Sequence, residues 1–448
     1  MAAKIVILGA GESGCGSAIL AKLKGLETFV SDFSSISPKY ISLLEQYDID
    51  YEQGGHDFER VLQADKVIKS PGIPDKAPII KALKEKNIPI ISEIEFASEY
   101  TSAKTICITG SNGKTTTTTL TYNILRDAGY NVAVGGNIGQ SFAYSVATGS
   151  YDYYVLELSS FQLDGCYDFR ADVAVLMNIT PDHLDRYDYQ LQNYVDSKFR
   201  VAQNQTPEDK LIFCIDDPLT MGSKDKFDVQ ACQLPFSSKS TQDSGAYVLD
   251  GMLNINCCGI CMRIDSSKLK IAGMHNHYNV MAASMAALSV GVSPEDIIKS
   301  VEAFGGVEHR LESVGCVDGV EYINDSKATN VDSVWYALDS MTKPVVWIAG
   351  GTDKGNDYSC LLPLIEGRVK ALVCMGLDNK KLVEFFSEHI ADVVSTDSLE
   401  EAMSKAASLA ASGDAVLLSP ACASFDLFNN YEHRGEMFKQ WVTDYKTK

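Results

Sequence analysis

The sequence predicts an α/β protein built from three domains. Three observations predict it. Short apolar runs alternate with helical patterns along most of the chain, which is the signature of sheets covered by helices. Two glycine-rich turns each close a strand-like run and open a helix. The length, 448 residues, leaves room for roughly three cores at about 150 residues per domain.

The first domain is expected over residues 1–92. Ile5–Leu8, Thr28–Val30, Val67–Ile68 and Ile88–Ile91 read as buried strands, and Ala18–Lys24 as a helix stopped by Gly25. The second is expected over 93–304. Its strands are Ile106–Thr109, Val132–Val134, Tyr153–Leu158 and Val173–Asn178, with a long helix running to about Ala128 before Gly129. Residues 205–272 carry shorter β-like runs and many turn residues, and read as a β-rich insertion in this domain. Asn279–Val290 is an apolar helix. The third domain, 305–448, has strand candidates at Val345–Ala349, Ala371–Met375 and Ala415–Ser419, again separated by helical patterns. No internal repeat or low-complexity linker interrupts the chain.

Composition narrows the function. The chain carries 59 acidic and 39 basic side chains, a formal charge of −20. A general nucleic-acid binder or an anionic-membrane binder needs a basic field, so neither is expected. Small anionic substrates remain compatible, because local cations and helix N-termini hold them. No apolar stretch suits a signal peptide or a membrane span, and the twelve cysteines read as reduced thiols, so a cytoplasmic protein is expected. Cys258 and Cys261 have zinc-ligand spacing, but His275 and His277 are one residue apart, which disfavours a structural zinc site.

Gly9, Gly11 and Gly14 form a GxGxxG turn after the first strand, and Asp32 ends the second strand 21 residues after Gly11. Glycines let a diphosphate approach the backbone, and the helix N-terminus attracts its charge. The fingerprint makes the domain Rossmann-like. It does not choose between NAD, a UDP-sugar and a tight turn with no ligand.

The second loop is more specific. Ile106-Cys-Ile-Thr-Gly110-Ser-Asn-Gly113-Lys114-Thr115 matches GxxGK[ST], with two residues between the glycines rather than the common four. Backbone N–H groups there cradle phosphates, Lys114 neutralises charge and Thr115 can reach Mg²⁺. Glu157 at the end of its strand supplies a carboxylate for a metal; His183 and Lys198 follow. Two phosphate-binding loops in two domains suit an enzyme that uses ATP to activate a substrate which is itself a nucleotide diphosphate.

Further motifs stand in order along the chain: Gly135-Gly-Asn-Ile-Gly139, Leu156-Glu-Leu-Ser-Ser-Phe-Gln162, Asp182-His-Leu-Asp-Arg186, His275-Asn276 with Asn279, His309-Arg310, Asn324-Asp-Ser-Lys-Ala-Thr-Asn330 and Ser419-Pro-Ala-Cys-Ala-Ser424. With the Thr109–Thr115 loop, they make the sequence closely similar, over essentially its whole length, to the Mur ligase family, which builds the peptide stem of bacterial peptidoglycan. The last two motifs resemble the member that adds D-glutamate.

The resemblance implies three parts: an N-terminal Rossmann-like UDP-binding domain, a central P-loop ATPase-like domain, and a C-terminal Rossmann-like domain for the amino acid. It implies that a substrate carboxylate attacks the γ-phosphate of ATP, that an amine attacks the acyl phosphate, and that a tetrahedral intermediate collapses to an amide. The partners would be UDP-N-acetylmuramoyl-L-alanine and D-glutamate, the cofactors ATP and Mg²⁺, two ions, and the enzyme would act as a monomer.

Residue by residue, the resemblance puts Gly110, Ser111, Asn112, Gly113, Lys114, Thr115 and Thr116 on the ATP phosphates. Asn276 and Asn279 fall at the adenine, Arg310 at the β/γ phosphates and Asp325 at the ribose. Glu157, His183, Thr115 and a carbamylated Lys198 would hold metal; Lys114, Glu157, His183 and Lys198 would be catalytic. Ser13, Asp32, Ser70, Gly72, Asn137, Ser159, Gln162 and His183 match the UDP-substrate positions. Lys327, Thr329, Lys354, Ser424 and Tyr431 match those for D-glutamate, with Tyr431 where Phe is expected. Two lysines near hydroxyls suit a dicarboxylic amino acid. Phe33-Ser34 replaces the familiar Thr-Arg after Asp32, so the uridine contacts differ from the pattern.

Three other readings compete. An NAD-dependent oxidoreductase would leave Lys114, Glu157, His183 and the third domain without a role. A non-catalytic nucleotide-binding scaffold has no need of Lys114 and Glu157. Within the family, a ligase for another amino acid or for folate is the alternative.

Overall fold

The computed structural model describes residues 2–271, 273–353 and 355–446. It forms two compact units, Met1–Leu269 with Asn276–Phe304, and Lys270–His275 with Gly305–Lys448.

The first unit holds two sheets. One has five parallel strands in the spatial order Asp50–Gln53, Glu27–Asp32, Lys4–Leu8, Lys66–Lys69, Ile90–Ile91. The chain order reverses between Lys4–Leu8 and Lys66–Lys69, and ligands of open α/β sheets bind beyond the strand ends at such a switch point. Gly9 leaves one strand there and Ser70 the other; the Ser70 N–H donates to Leu8 O at 2.9 Å. Helix Glu12–Leu23 starts six residues before the predicted Ala18. Gly14 obscured that start, because glycine is a poor helix former. Its place is set by tertiary packing: a Cβ there would stand 1.8 Å from Gly9 O. The strand Asp50–Gln53 was not predicted. It is a polar edge strand with no fully buried residue, so it carries no apolar run.

The second sheet has nine strands, in the order Ile260–Asp265, Met252–Cys257, Gly245–Leu249, Cys232–Ser237, Lys210–Cys214, Val173–Leu176, Lys104–Thr109, Tyr153–Glu157, Val132–Gly136. The stretch read as an insertion is indeed β-rich, but its strands continue this sheet rather than forming a layer of their own. Lys210–Cys214 and Cys232–Ser237 add in parallel, and the last two pairings are antiparallel. Lys104–Thr109 lies between Val173–Leu176 and Tyr153–Glu157. The glycine loop after Thr109, the end of the Glu157 strand and the segment after Leu176 therefore emerge side by side. One apolar core runs from Ile5 and Ile19 through Phe142 to Leu156 and Leu211, joining the two sheets of this unit.

The second unit is built on six strands, in the order Glu312–Val317, Val320–Asn324, Ala415–Ala421, Val345–Gly350, Val369–Met375, Asp392–Thr396. The first pairing is antiparallel and the others are parallel. Trp347 and Leu417 lie in the core on one face; Ile348 and Leu418 lie on the other. No described helix is long and apolar enough to cross a membrane.

Candidate active site

The Gly110–Thr115 loop is built by the sheet beneath it. The Ser111 N–H donates to Asn178 O at 2.9 Å, and the Asn112 N–H to Asn178 Oδ1 at 2.9 Å. Ser111 Oγ lies 2.9 Å from Thr180 O and 3.0 Å from Tyr194 OH. Helix Lys114–Asp127 follows with Gly113 as its N-cap at φ +82°, a left-handed conformation that suits glycine. A Cβ on Gly113 would lie 2.6 Å from Asn279 Oδ1. The same oxygen accepts from Thr117 Oγ1 at 3.2 Å, and Asn279 Nδ2 donates to Asn276 Oδ1 at 3.0 Å. Both asparagines stand on helix Met274–Ser289, buried. Thr115 and Thr116 are buried in the first turn of their helix.

Two lysines meet at the loop. Lys114 Nζ donates to Gly110 O at 2.8 Å and Ser111 O at 2.9 Å. Lys198 Nζ donates to Gly110 O at 2.9 Å and Thr109 Oγ1 at 3.3 Å. The Lys198 side chain is 2% exposed. Burial, and then the Lys114 charge, push its amine well below the usual lysine range. Glu157 is equally buried and accepts from Asn137 Nδ2 at 2.8 Å. His183 sits in the left-handed region, φ +52°, with its Nε2 3.5 Å from Asp182 Oδ2 and its ring edge-on to Phe161.

A cavity of about 290 Å³ opens over these groups. Gly72, Lys114, Asn137, Ser159, His183 and Lys198 are among its walls. Residues expected for the nucleotide substrate and for ATP therefore face one space. Gln162 lies beneath Ser159 as part of a capping box: its Oε1 accepts from Ser159 N and Oγ at 3.0 Å each. The Asp32 carboxylate is held by the Ala10 N–H at 2.7 Å and the Ser34 N–H at 2.8 Å. Ser13 lies in the first turn of the helix that follows. Phe33 is largely exposed beside His56, with ring centroids 5.9 Å apart.

Arg186, which ends the Asp182–Arg186 motif, has a role that the sequence pattern does not announce. Its guanidinium donates to Pro71 O at 3.2 Å, and to Gly72 O and Ile73 O at 3.4 Å, and lies 4.4 Å from the Phe161 ring. It fastens the Ser70–Gly72 turn to the second sheet's segment.

The second unit gathers most of the remaining residues. Asp325 Oδ2 accepts from Ser419 Oγ at 2.7 Å and Oδ1 from the Leu311 N–H at 3.2 Å; burial pushes its carboxyl up to about 7. The Arg310 charge opposes that shift. Lys327 Nζ lies 5.1 Å from the Tyr431 ring. Thr329 N donates to Lys327 O at 2.9 Å, and Ser424 is buried. Lys354 lies outside the described residues. Sequence reasoning missed Arg434, which is fully buried beneath these segments.

Three family models match successive stretches of the chain. A Mur ligase MurD-like N-terminal domain matches residues 3–92, a Mur ligase middle domain 108–287, and a Mur ligase glutamate ligase domain 309–422. The chain belongs to the Mur ligase family. Among curated Mur ligases it is 54% identical over 442 residues to the UDP-N-acetylmuramoylalanine–D-glutamate ligase of Bacteroides fragilis, covering 98% of this chain and 99% of that one. It is 50% identical over 443 residues to the same-named ligase of Porphyromonas gingivalis, covering 98% of each. Among solved structures, UDP-N-acetylmuramate-alanine ligase MurC from Thermotoga maritima shares the fold with a TM-score of 0.63 at 18% identity, over 99% of this chain and all of that one. A pseudomurein peptide ligase type C from Methanothermus fervidus gives 0.61 at 20%, over 98% and 100%.

Proposed function

We propose that this Mur ligase joins D-glutamate to UDP-N-acetylmuramoyl-L-alanine at the expense of ATP. The single observation that carries the reading is the shared cavity: Gly72 of the nucleotide-diphosphate turn and Lys114 of the phosphate loop line one space. The curated relatives at 50–54% identity support the choice of substrates. The reading assigns 1–92 to the UDP-substrate, 93–304 to ATP and 305–448 to the amino acid. It implies a cytoplasmic enzyme, where its ATP is, acting as a monomer.

The chemistry follows from charge. A carboxylate must approach a triphosphate, and repulsion between them is the main barrier. Preorganised cations and N–H groups lower such barriers most. Lys114 and the loop N–H groups bear on the phosphates as charge shifts from γ-phosphorus to the bridging oxygen. Ser159, Asn137 and Gly72 hold the nucleotide substrate so that its carboxylate points at that phosphorus. The incoming amine then attacks the acyl phosphate, giving a tetrahedral intermediate that expels phosphate. Lys327, Thr329, Lys354, Ser424 and Tyr431 are assigned to the amino acid, Arg310 and Asp325 to ATP.

Among the described residues no three His, Cys, Asp or Glu side chains form a metal cage. Sparse protein ligation suits Mg²⁺, which keeps waters and substrate phosphates as ligands. Glu157, Thr115 and His183 fit that role, and Lys198 joins them once its amine carries a carbamate. Bound there, Mg²⁺ would neutralise phosphate charge.

The test is phosphate release with Mg²⁺, ATP and UDP-N-acetylmuramoyl-L-alanine across D-Glu, L-Glu, L-Ala, meso-diaminopimelate and L-Lys. Turnover with D-Glu alone, lost in Lys114→Ala, is expected. Turnover with another amino acid overturns the acceptor, and no turnover with any overturns the activity.

A further inference from the structure

Arg434 is fully buried, at 0% exposure, and among the described residues it forms no salt bridge; the Asp426 and Asp325 charges reach it only from farther away. A buried guanidinium with no acid in direct contact is costly unless its N–H groups are satisfied. Burial accordingly draws it down to about 10. It binds instead one hydroxyl and two backbone carbonyls. Nε donates to Ser326 Oγ at 3.0 Å, one terminal nitrogen to Ser326 O at 2.8 Å and Cys422 O at 3.4 Å, and the other to Cys422 O at 3.3 Å.

Those partners are not arbitrary. Ser326 immediately precedes Lys327 and lies three residues before Thr329. Cys422 lies two residues before Ser424. The Ser326 hydroxyl accepts from Arg434 and donates to Tyr431 O at 2.8 Å, at the start of Arg434's own helix, Tyr431–Lys446. One guanidinium thus ties together three of the segments assigned above to the amino acid, those of Lys327–Thr329, Ser424 and Tyr431. The turn after Ala421 needs such a tie: Ala421 sits at φ +60°, where a residue with a Cβ is strained.

We propose that Arg434 is a positioning residue for the amino-acid pocket. It touches no substrate itself. It fixes the spacing between the Lys327–Thr329 turn, Ser424 and the Tyr431 ring, and with it the length of the acceptor that fits. A planar fork reaching two carbonyls and a hydroxyl does this; a lysine has the charge but not the geometry. The inference rests on the acceptor reading above.

The experiment is steady-state kinetics of wild type, Arg434→Lys and Ser326→Ala with ATP, UDP-N-acetylmuramoyl-L-alanine and D-Glu varied in turn. In Arg434→Lys, KM for D-Glu is expected to rise tenfold or more, with kcat and the KM values for the other two substrates within about threefold. Ser326→Ala, which keeps the buried charge, is expected to shift the same KM by three- to tenfold. A general loss of packing would move kcat and all three KM values together, and overturns the proposal. So does an unchanged KM for D-Glu. If Arg434→Lys does not fold, Ser326→Ala alone decides on the same criterion. A wild-type enzyme inactive with D-Glu instead overturns the acceptor reading and is recognised before any variant is made.

Discussion

Lys114 and Lys198 donate to the same backbone carbonyl, that of Gly110, at 2.8 and 2.9 Å. Two ammonium groups so close repel, and Lys198 is the more deeply buried, so it is the one driven toward the neutral amine. A neutral amine adds CO₂ and releases a proton. The carbamate carries the opposite charge and removes the repulsion. We expect a carbamate on Lys198 that grows with pH and dissolved CO₂ and is lost on acidification. A ¹³C signal in bicarbonate-labelled protein, absent in Lys198→Arg, reads it out. Activity of that variant should fall roughly a hundredfold or more. A labelled enzyme with no such signal overturns the expectation.

Gly113→Ala should abolish ATP binding while leaving the UDP-substrate bound. The φ of +82° costs an alanine roughly 1–2 kcal/mol. The added methyl also displaces Asn279, 2.6 Å away, from Thr117. Calorimetric titration with an ATP analogue and with the UDP-substrate separates the two. Equal ATP affinity in the variant would show that the loop does not hold phosphate in this shape.

Arg186→Ala frees the Ser70–Gly72 turn from its three carbonyl contacts. The KM for the UDP-substrate is expected to rise on the order of tenfold, about 1.4 kcal/mol, with that for ATP little changed. A rise confined to ATP would place the turn elsewhere in the reaction.

Glu93 gives a stability prediction with a definite sign. Burial holds its carboxyl up at about 7, against 4.5 for the free group, despite hydrogen bonds from Ser141 Oγ at 2.6 Å and Ala143 N at 2.8 Å. A group whose folded pKa is raised contributes stability below its unfolded pKa and loses it as pH rises through the folded one. Glu93→Gln keeps both acceptor contacts without a charge. The variant should match wild type near pH 4.5 and exceed it by on the order of 1–3 kcal/mol at pH 8. Denaturant melts at the two pH values decide, and a gap that narrows with rising pH refutes the assignment.

The sequence made the buried parts of the sheets legible, because apolar runs such as Ile106–Thr109 and Tyr153–Leu158 carry a local signal. The phosphate loop was legible too, since glycine spacing and a lysine are written consecutively. Asp50–Gln53 was not: an edge strand needs no apolar face. Arg434 was not, because an arginine in a polar-looking helix reads as solvated surface, and only the fold places Ser326 and Cys422 beneath it. Glu93 and Ser141 meet across 48 residues, a pairing no local pattern announces. Lys327, Tyr431 and Ser424 came from family motifs rather than from any physical periodicity.

The six-stranded sheet is threaded in an order that constrains how the protein is made. Ala415–Ala421 lies between Val320–Asn324 and Val345–Gly350, strands synthesised some 70 residues or more before it. Until it leaves the ribosome, two nascent strands present unpaired inner edges, which are templates for wrong pairing. The unit therefore cannot finish folding while that stretch is still being translated. A truncation between residues 351 and 414 leaves both flanking strands without their shared partner, a sheet split down its middle rather than one merely shortened at its rim.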